Sequence, residues 1–409
     1  MTVEGLQPEV EGKPLRIGLL TPAWPGTATP NGIASATAQL AAGLQAIGHA
    51  VTILAFAVDA PTGHPRVVSL GLGRMSLAQR VMFRFAPDRV LRARMINCLV
   101  AGARRAIADH GIEVLMMEES FGWASEVRRA LPIPVVATLH GPHWLHRVRP
   151  GRPDPGPDAR REAWEAASLQ RIDGIISPSH DVLMRTRSEW GLPDVPTTII
   201  GNPVHIGALT TPSASQAEPR LLFIGRFDRI KGADILLDAF ARIVAQHPAC
   251  RLTFVGPDSG LLLNDGTTRH IGDALALLPQ AVRERIEVLG HRTRDEIAEI
   301  RRRHPITLIT SRYETFGVAL IEAMAAGSAV VSTRVGGCAE ILRDGETGLL
   351  VMPEDPSALA EACLRLLADP ALALRLGTAA RADVARRFAP EAVGREVAAF
   401  LAPLCRGRG

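Results

Sequence analysis

The spacing of apolar and polar positions along this chain switches repeatedly between short continuous runs and longer helical stretches. From Arg16 the run RIGLL precedes a Pro/Gly-rich loop, TPAWPGTATPNG, and then IASATAQLAAGLQAIGHA, whose helix formers end at a Gly-His stop. AVTILAF, from Ala50, reads as the next strand, which gives a β-loop-α-β opening. Further apolar runs end at Met117 and occupy PVVATLH, GIIS and TTII, with helical or polar stretches between them. Strands that are apolar on both faces belong in a parallel sheet covered by helices, so the first half is predicted to be Rossmann-like.

TTPSASQAE, residues 210–218, has the composition of a linker, and the alternation restarts just after it. RLLFIG, RLTFVG, RIEVLG, ITLIT, AVVST and GLLVM read as strands, with helices at ADILLDAFARIVAQH and VALIEAMAAG. Helices follow from about Pro356 to the end. A chain of 409 residues is too long for one ordinary core and suits two. The predicted organisation is a first α/β domain over 1–209, the linker 210–218, a second over 219–385, and a helix and tail at 386–409 that cross back to the first. Two doubly wound parallel sheets facing a central crevice would place ligands outside the carboxyl ends of their strands.

Composition narrows the class. Apolar residues at 47% and charged residues at 22% fit a folded globule and exclude a disordered or collagen-like chain. The net charge is +4, with 42 acidic residues spread among 46 basic ones, which argues against a nucleic-acid binder. The opening MTVEGLQPEVEGK lacks a secretory pattern, no run of eighteen apolar residues occurs, and the five cysteines form no C-x-x-C pair. A cytoplasmic protein is expected. Lys13 and Lys231 are the only lysines, and the arginine excess reads as a background bias or as a demand for planar forks that grip phosphate. Between Arg74 and Arg105 eight arginines, at 74, 80, 84, 89, 92, 94, 104 and 105, face one acid, Asp88, and are interleaved with apolar residues. That pattern suits either ordinary solvated helices or a basic amphipathic surface that docks on an anionic membrane.

Candidate chemistry collects after strands. In LLFIGRFDRIKGADILLDAF, Arg226 follows a strand and Lys231 lies five residues on, near a helix start, an arrangement suited to a diphosphate. In ITLITSRYETFGVALIEAMAAGSAVVSTRVGGCAEIL, Glu314 precedes a helix and Glu322 sits on it eight positions later. Each carboxylate can accept hydrogen bonds from hydroxyls of a sugar-bearing ligand; alternatively Glu314 caps the helix and Glu322 pairs with an arginine. Phe316-Gly317 permits close backbone approach, and Gly336-Gly337 can offer N–H groups as an anion nest.

GRFDRIKG, the E-x7-E element from Glu314 to Glu322 and VGGCAEIL, in this order, resemble the retaining glycosyltransferases of family 4, with the GT-B fold, most strongly from Leu221 to Leu350. The resemblance implies that Arg226 and Lys231 bind the diphosphate of a nucleotide sugar, Glu314 the transferred sugar and Glu322 the ribose. Backbone around Phe316, Gly317 and Val318 would hold sugar and phosphate. In the first domain it implies donor binding at Gly32, acceptor binding near Asn31, and an active-site histidine at His140. His143 and Arg147, in the Pro/Gly-rich loop that follows and also holds His146, Arg149 and Arg152, suit an acceptor bearing phosphate or carboxylate.

The resemblance implies transfer of a hexose-type sugar to a hydroxyl acceptor with retention, the leaving phosphate oxygen helping to take the acceptor proton. A bacterial cell-envelope glycan or glycolipid precursor, or a soluble natural product, would be the acceptor. No D-x-D motif is present, so no metal or other cofactor is expected. The rival classes are a paired-carboxylate glycosidase, a nucleotide-sugar epimerase and a non-catalytic nucleotide-sugar-binding scaffold.

Overall fold

The computed structural model describes residues 13–24, 32–58, 66–120, 122–146, 157–207 and 219–406. Asn31, Arg147, Arg149, Arg152 and the predicted linker 210–218 lie outside them. The chain divides into two compact units: the first takes the described residues through Pro203 together with those from Ala389, and the second runs from Val204 to Phe388. Residues 204–207, assigned above to the first domain, therefore group with the second, where the Val204 N–H donates to the Phe388 carbonyl at 2.8 Å.

The first unit is built on seven strands, β1 (Arg16–Trp24), β2 (Ala50–Val58), β3 (Arg66–Ser69), β4 (Val114–Glu118), β5 (Val135–Thr138), β6 (Gly174–Ser177) and β7 (Thr197–Ile199). They are parallel, in the order β3-β2-β1-β4-β5-β6-β7. Helices α1 (Gly32–Ala46), α2 (Leu77–Phe85), α3 (Pro87–His110), α4 (Ala124–Ala130), α5 (Pro157–Ser168) and α6 (His180–Trp190) complete it up to Pro203. Because successive strand residues point to opposite faces, each strand feeds two apolar layers. Leu19, Ile53 and Met116 pack in one with Leu44 of α1, and Leu20, Leu54 and Met117 in the other with Leu99 of α3 and Val127 of α4.

The second unit holds β8 (Arg220–Ile224), β9 (Arg251–Val255), the hairpin β10 (Leu261–Leu262) and β11 (Thr268–Arg269), then β12 (Ile286–Gly290), β13 (Ile306–Ile309), β14 (Ala329–Thr333) and β15 (Leu349–Val351). Its six-stranded parallel sheet runs β12-β9-β8-β13-β14-β15. Helices α7 (Ala233–Gln246), α8 (Ile271–Ala276), α9 (Gln280–Arg283), α10 (Arg294–Arg302), α11 (Val318–Ala325), α12 (Gly336–Ile341), α13 (Pro356–Ala368) and α14 (Pro370–Phe388) surround it. Neighbouring residues again separate: Leu308 joins the core with Phe240 of α7, and Ile309 the one with Leu320 of α11. Both predicted doubly wound sheets are present.

The last helix, α15 (Pro390–Arg406), belongs to the first unit. Val393, Val397 and Leu401 are buried with Ile17, Leu44 and Ile53. Gly43 of α1 makes this contact close, since a Cβ there would lie 1.9 Å from the Pro390 carbonyl oxygen.

The arginine-rich stretch divides in two. Arg94 is buried and donates to the carbonyls of Leu72 and Gly73; Arg92 pairs with Glu126 at 2.8 Å; Arg104 and Arg105 reach the carbonyls of Ala130 and Ser69. These four hold the unit together. Arg74, Arg80, Arg84 and Arg89 are exposed around α2, a helix that buries none of its own residues. Leu77, Val81, Met82 and Phe85 of α2 face outward, Leu77 at 78% and Phe85 at 81% exposure. Among the described residues no helix is long and apolar enough to cross a membrane.

Candidate active site

In the second sheet the strand order reverses direction between β8 and β13, so the loops after these two strands diverge and leave room for a ligand between them. Lys231 lies on the first loop and Glu314 on the second, and their side chains meet with Nζ 2.5 Å from Oε1. The same Oε1 accepts from the Ser311 hydroxyl at 2.6 Å. Glu314 therefore does not cap α11, whose first turn has no side-chain cap; Gly317, at φ 97°, stands there instead.

The Lys231 loop is strapped to the end of β13. Thr310 Oγ1 donates to the carbonyls of Lys231 at 2.8 Å and Gly232 at 3.1 Å, and the Arg312 N–H donates to the Ile230 carbonyl at 2.7 Å. The Arg312 guanidinium grips both carboxylate oxygens of Asp234, at 2.7 and 2.8 Å, and also donates to the Arg229 carbonyl and Glu354. A planar fork held on several sides defines one loop conformation. Asp228 adds a local turn, accepting the Lys231 N–H at 2.7 Å and Arg226 Nε at 2.6 Å. Arg226 is half exposed, so its guanidinium stands at the surface, five residues before Lys231 on the same loop.

Glu322 accepts from Arg301 of α10 at 2.8 Å. The arginine pairing left open by the sequence is thus present, while a third of the Glu322 side chain remains accessible. Phe316 is buried edge-on against Phe388, at 5.5 Å between ring centroids, and Val318 is exposed. The glycine pair at 336–337 departs from a free anion nest: the Gly337 N–H already donates to the Glu314 carbonyl at 2.9 Å. Its value is close approach. A Cβ at Gly336 would lie 2.1 Å from that carbonyl oxygen and one at Gly337 2.6 Å from Phe316 Cα, so the two glycines let α12 pack on the Glu314–Phe316 backbone.

In the first unit His140 follows β5. It is half-buried, and desolvation holds its imidazole down to about 4, which leaves the ring neutral. Its backbone N–H and that of Gly141 donate to the two oxygens of Glu119, each at 2.9 Å. Glu119 is fully buried, and burial pushes its carboxyl up to about 8 against the pull of the His140 N–H, with Glu165 and Glu118 adding to the rise. The His143 N–H donates to Glu165 at 2.8 Å, and Arg161 pairs with the other oxygen of that carboxylate at 2.8 Å. A buried acidic framework thus holds the segment from His140 to His143; nothing in the sequence reading had marked these glutamates. Gly32 opens α1, and among the described residues none would lie within 4 Å of a Cβ added there.

Two family matches account for most of the chain: one described as Glycosyltransferase Family 4 over residues 30–207, the other as Glycosyl transferases group 1 over residues 218–369. The protein belongs to this glycosyltransferase family. It is 27% identical over 266 residues to D-inositol 3-phosphate glycosyltransferase of Nocardiopsis dassonvillei, which covers 61% of this chain and 60% of that enzyme. It is 29% identical over 332 residues to D-inositol 3-phosphate glycosyltransferase 1 of Catenulispora acidiphila, covering 77% and 78%. Among solved structures, sucrose-phosphate synthase of Thermosynechococcus elongatus superposes with a TM-score of 0.71 at 23% identity, covering 95% of this chain and 99% of that one. HepE of Anabaena in complex with UDP-glucose gives 0.67 at 18%, covering 95% and 100%. These likenesses establish the GT-B fold.

Proposed function

We propose that this protein transfers a hexose-type sugar from a nucleotide diphosphate sugar to a hydroxyl acceptor, with retention at the anomeric carbon and without a metal cofactor. The observation that carries the reading is the meeting of Lys231 and Glu314 at the switch point of the second sheet, with Arg226 on the same loop. Lys231 and Arg226 stabilise charge developing on the departing diphosphate, which is electrostatic catalysis by groups fixed in advance. Glu314 accepts hydroxyls of the transferred sugar, and the accessible edge of Glu322 accepts the ribose. Backbone at Phe316, Gly317 and Val318 completes the donor site. Neutral His140, held by Glu119, presents its ring to the reacting sugar, and the leaving phosphate oxygen takes the acceptor proton. Gly32 lies on the donor side; acceptor contacts fall to His143 and, outside the described residues, to Asn31 and Arg147.

The relatives' names support the class: two are glycosyltransferases of inositol 3-phosphate, and HepE is a structure holding UDP-glucose. UDP-, GDP- and ADP-sugars, tested by thermal shift, should include one that raises the melting temperature in step with the logarithm of its concentration. The same donor should then yield a product of unchanged anomeric configuration, with or without chelator. No response to any of the three, or an inverted product, would sink the proposal.

A second reading concerns location and rests on α2. Its exposed Leu77, Val81, Met82 and Phe85 beside exposed Arg74, Arg80, Arg84 and Arg89 form an apolar strip flanked by cations. The occupant that fits both is an anionic lipid surface, where a lipid-linked precursor of a cell-envelope glycan would be met. The protein should co-float with vesicles containing phosphatidylglycerol at low salt and not with phosphatidylcholine alone. Replacing Met82 and Phe85 together by serine should weaken that association by about tenfold or more. Equal flotation of the double variant would dismiss α2 as the docking element.

A further inference from the structure

A cavity of about 50 Å³ opens in the first unit beside the middle of β1 and the ends of β4 and β5, covered by α1 and α15. That volume admits more than one water-sized group. Glu118, the last residue of β4, lines it, as do Thr37, Thr138, His140 and Asn202. Glu118 shares a strand face with Met116, which packs toward α1 and α15, so its carboxyl enters the cavity rather than the opposite layer. The residue is only 5% exposed, and its Oε2 is fully buried with no hydrogen-bond partner. An acceptor atom left unmatched at this depth is costly unless a ligand or water supplies the missing hydrogen.

The surroundings say what kind of group can supply it. Among the described lining residues there is neither lysine nor arginine, and the remaining walls are largely apolar, with Leu19, Leu40 and Val397. Glu119 and Glu165 lie nearby, and the one adjacent cation, Arg161, is already committed to Glu165. Entering among these described residues, a phosphate or carboxylate would meet a carboxyl of like sign and no cation beyond Arg161. A sugar or cyclitol can place a single water-sized hydroxyl in this volume as a donor to Glu118.

We infer that Glu118 binds a hydroxyl of the acceptor and makes the first unit select an uncharged polyol moiety over its phosphate ester. The inference rests on the glycosyltransferase reading for the word acceptor, but not for the binding itself.

Calorimetric titration of the whole protein at pH 8 tests it. The probes are D-glucose and myo-inositol against D-glucose 6-phosphate and myo-inositol 1-phosphate, with and without the nucleoside diphosphate that stabilises the protein most. At least one neutral polyol should bind about tenfold or more tightly than its ester. In Glu118→Gln, which keeps the shape and removes the charge, this ratio should fall toward one. The wild-type ratio stands as a test even where the variant does not fold. Tighter binding of the esters, no binding of either class, or an unchanged ratio in Glu118→Gln would overturn the inference; the last is the result expected if Oε2 is satisfied by a trapped water alone. Failure of the transferase reading would show separately, as absence of any response to nucleotide sugars.

Discussion

Replacing Lys231 by alanine should lower kcat/KM for sugar transfer by about 10²–10³ while leaving the fold in place, the scale seen when one preorganised hydrogen-bond donor to a developing anion is removed. The lysine is held in place on several sides. Its carbonyl is fixed by Thr310, its N–H by Asp228, and its ammonium stands 2.5 Å from Glu314. In the free protein that ammonium is paired with Glu314; under the proposed function, donor phosphate and sugar hydroxyls would replace the contacts the two side chains make with each other. Glu314→Gln should cost a comparable factor. Because the residues share one ion pair, the double variant Lys231→Ala/Glu314→Gln should be less impaired than the product of the single effects, a coupling of about 0.5–3 kcal/mol. Steady-state kinetics with the donor selected by thermal shift measures all three. Single variants within threefold of wild type would remove Lys231 and Glu314 from the site.

Gly336→Ala is the second large effect, and it acts through backbone. Gly336 sits at φ 41°, a region costly for other residues, and an added Cβ would lie 2.1 Å from the Glu314 carbonyl oxygen. Either α12 or the Glu314 segment must move. The second unit should lose about 3 kcal/mol of stability or more, and the surviving protein should bind nucleotide sugar less tightly. Gly32→Ala is the matched control: among the described residues a Cβ there meets nothing within 4 Å, so its stability should stay within about 0.5 kcal/mol of wild type. A Gly336→Ala protein as stable as wild type would show that α12 tolerates displacement.

Both sheets were legible because every second residue of each strand enters a different apolar layer, leaving continuous runs such as VLMM and ITLI. β3 and the hairpin β10–β11 escaped, since RVVS carries only two apolar residues and the hairpin strands are two residues long. Lys231 and Glu314 were readable through motif order. Their positioning by Arg312 was not, because its partners Asp234 and Glu354 lie 78 and 42 residues away. Arg301 was hidden differently: it is the first of three consecutive arginines, and only packing shows that it is the buried one paired with Glu322. Glu118 and Glu119 look like surface acids at a strand end; burial distinguishes them, and burial is a property of the fold as a whole.

The return of α15 sets the order in which the molecule can be finished during synthesis. Val393, Val397 and Leu401 fill the core that Ile17 and Leu44 begin, yet nearly the whole second unit is translated between them. At the elongation rates of living cells, about 5–20 residues per second, that interval is on the order of ten seconds or more. Through it the α15-facing side of α1 waits with its apolar residues uncovered, while the second unit has its entire sequence available and can close first. The docking of α15 is therefore the last step in completing the first unit's core.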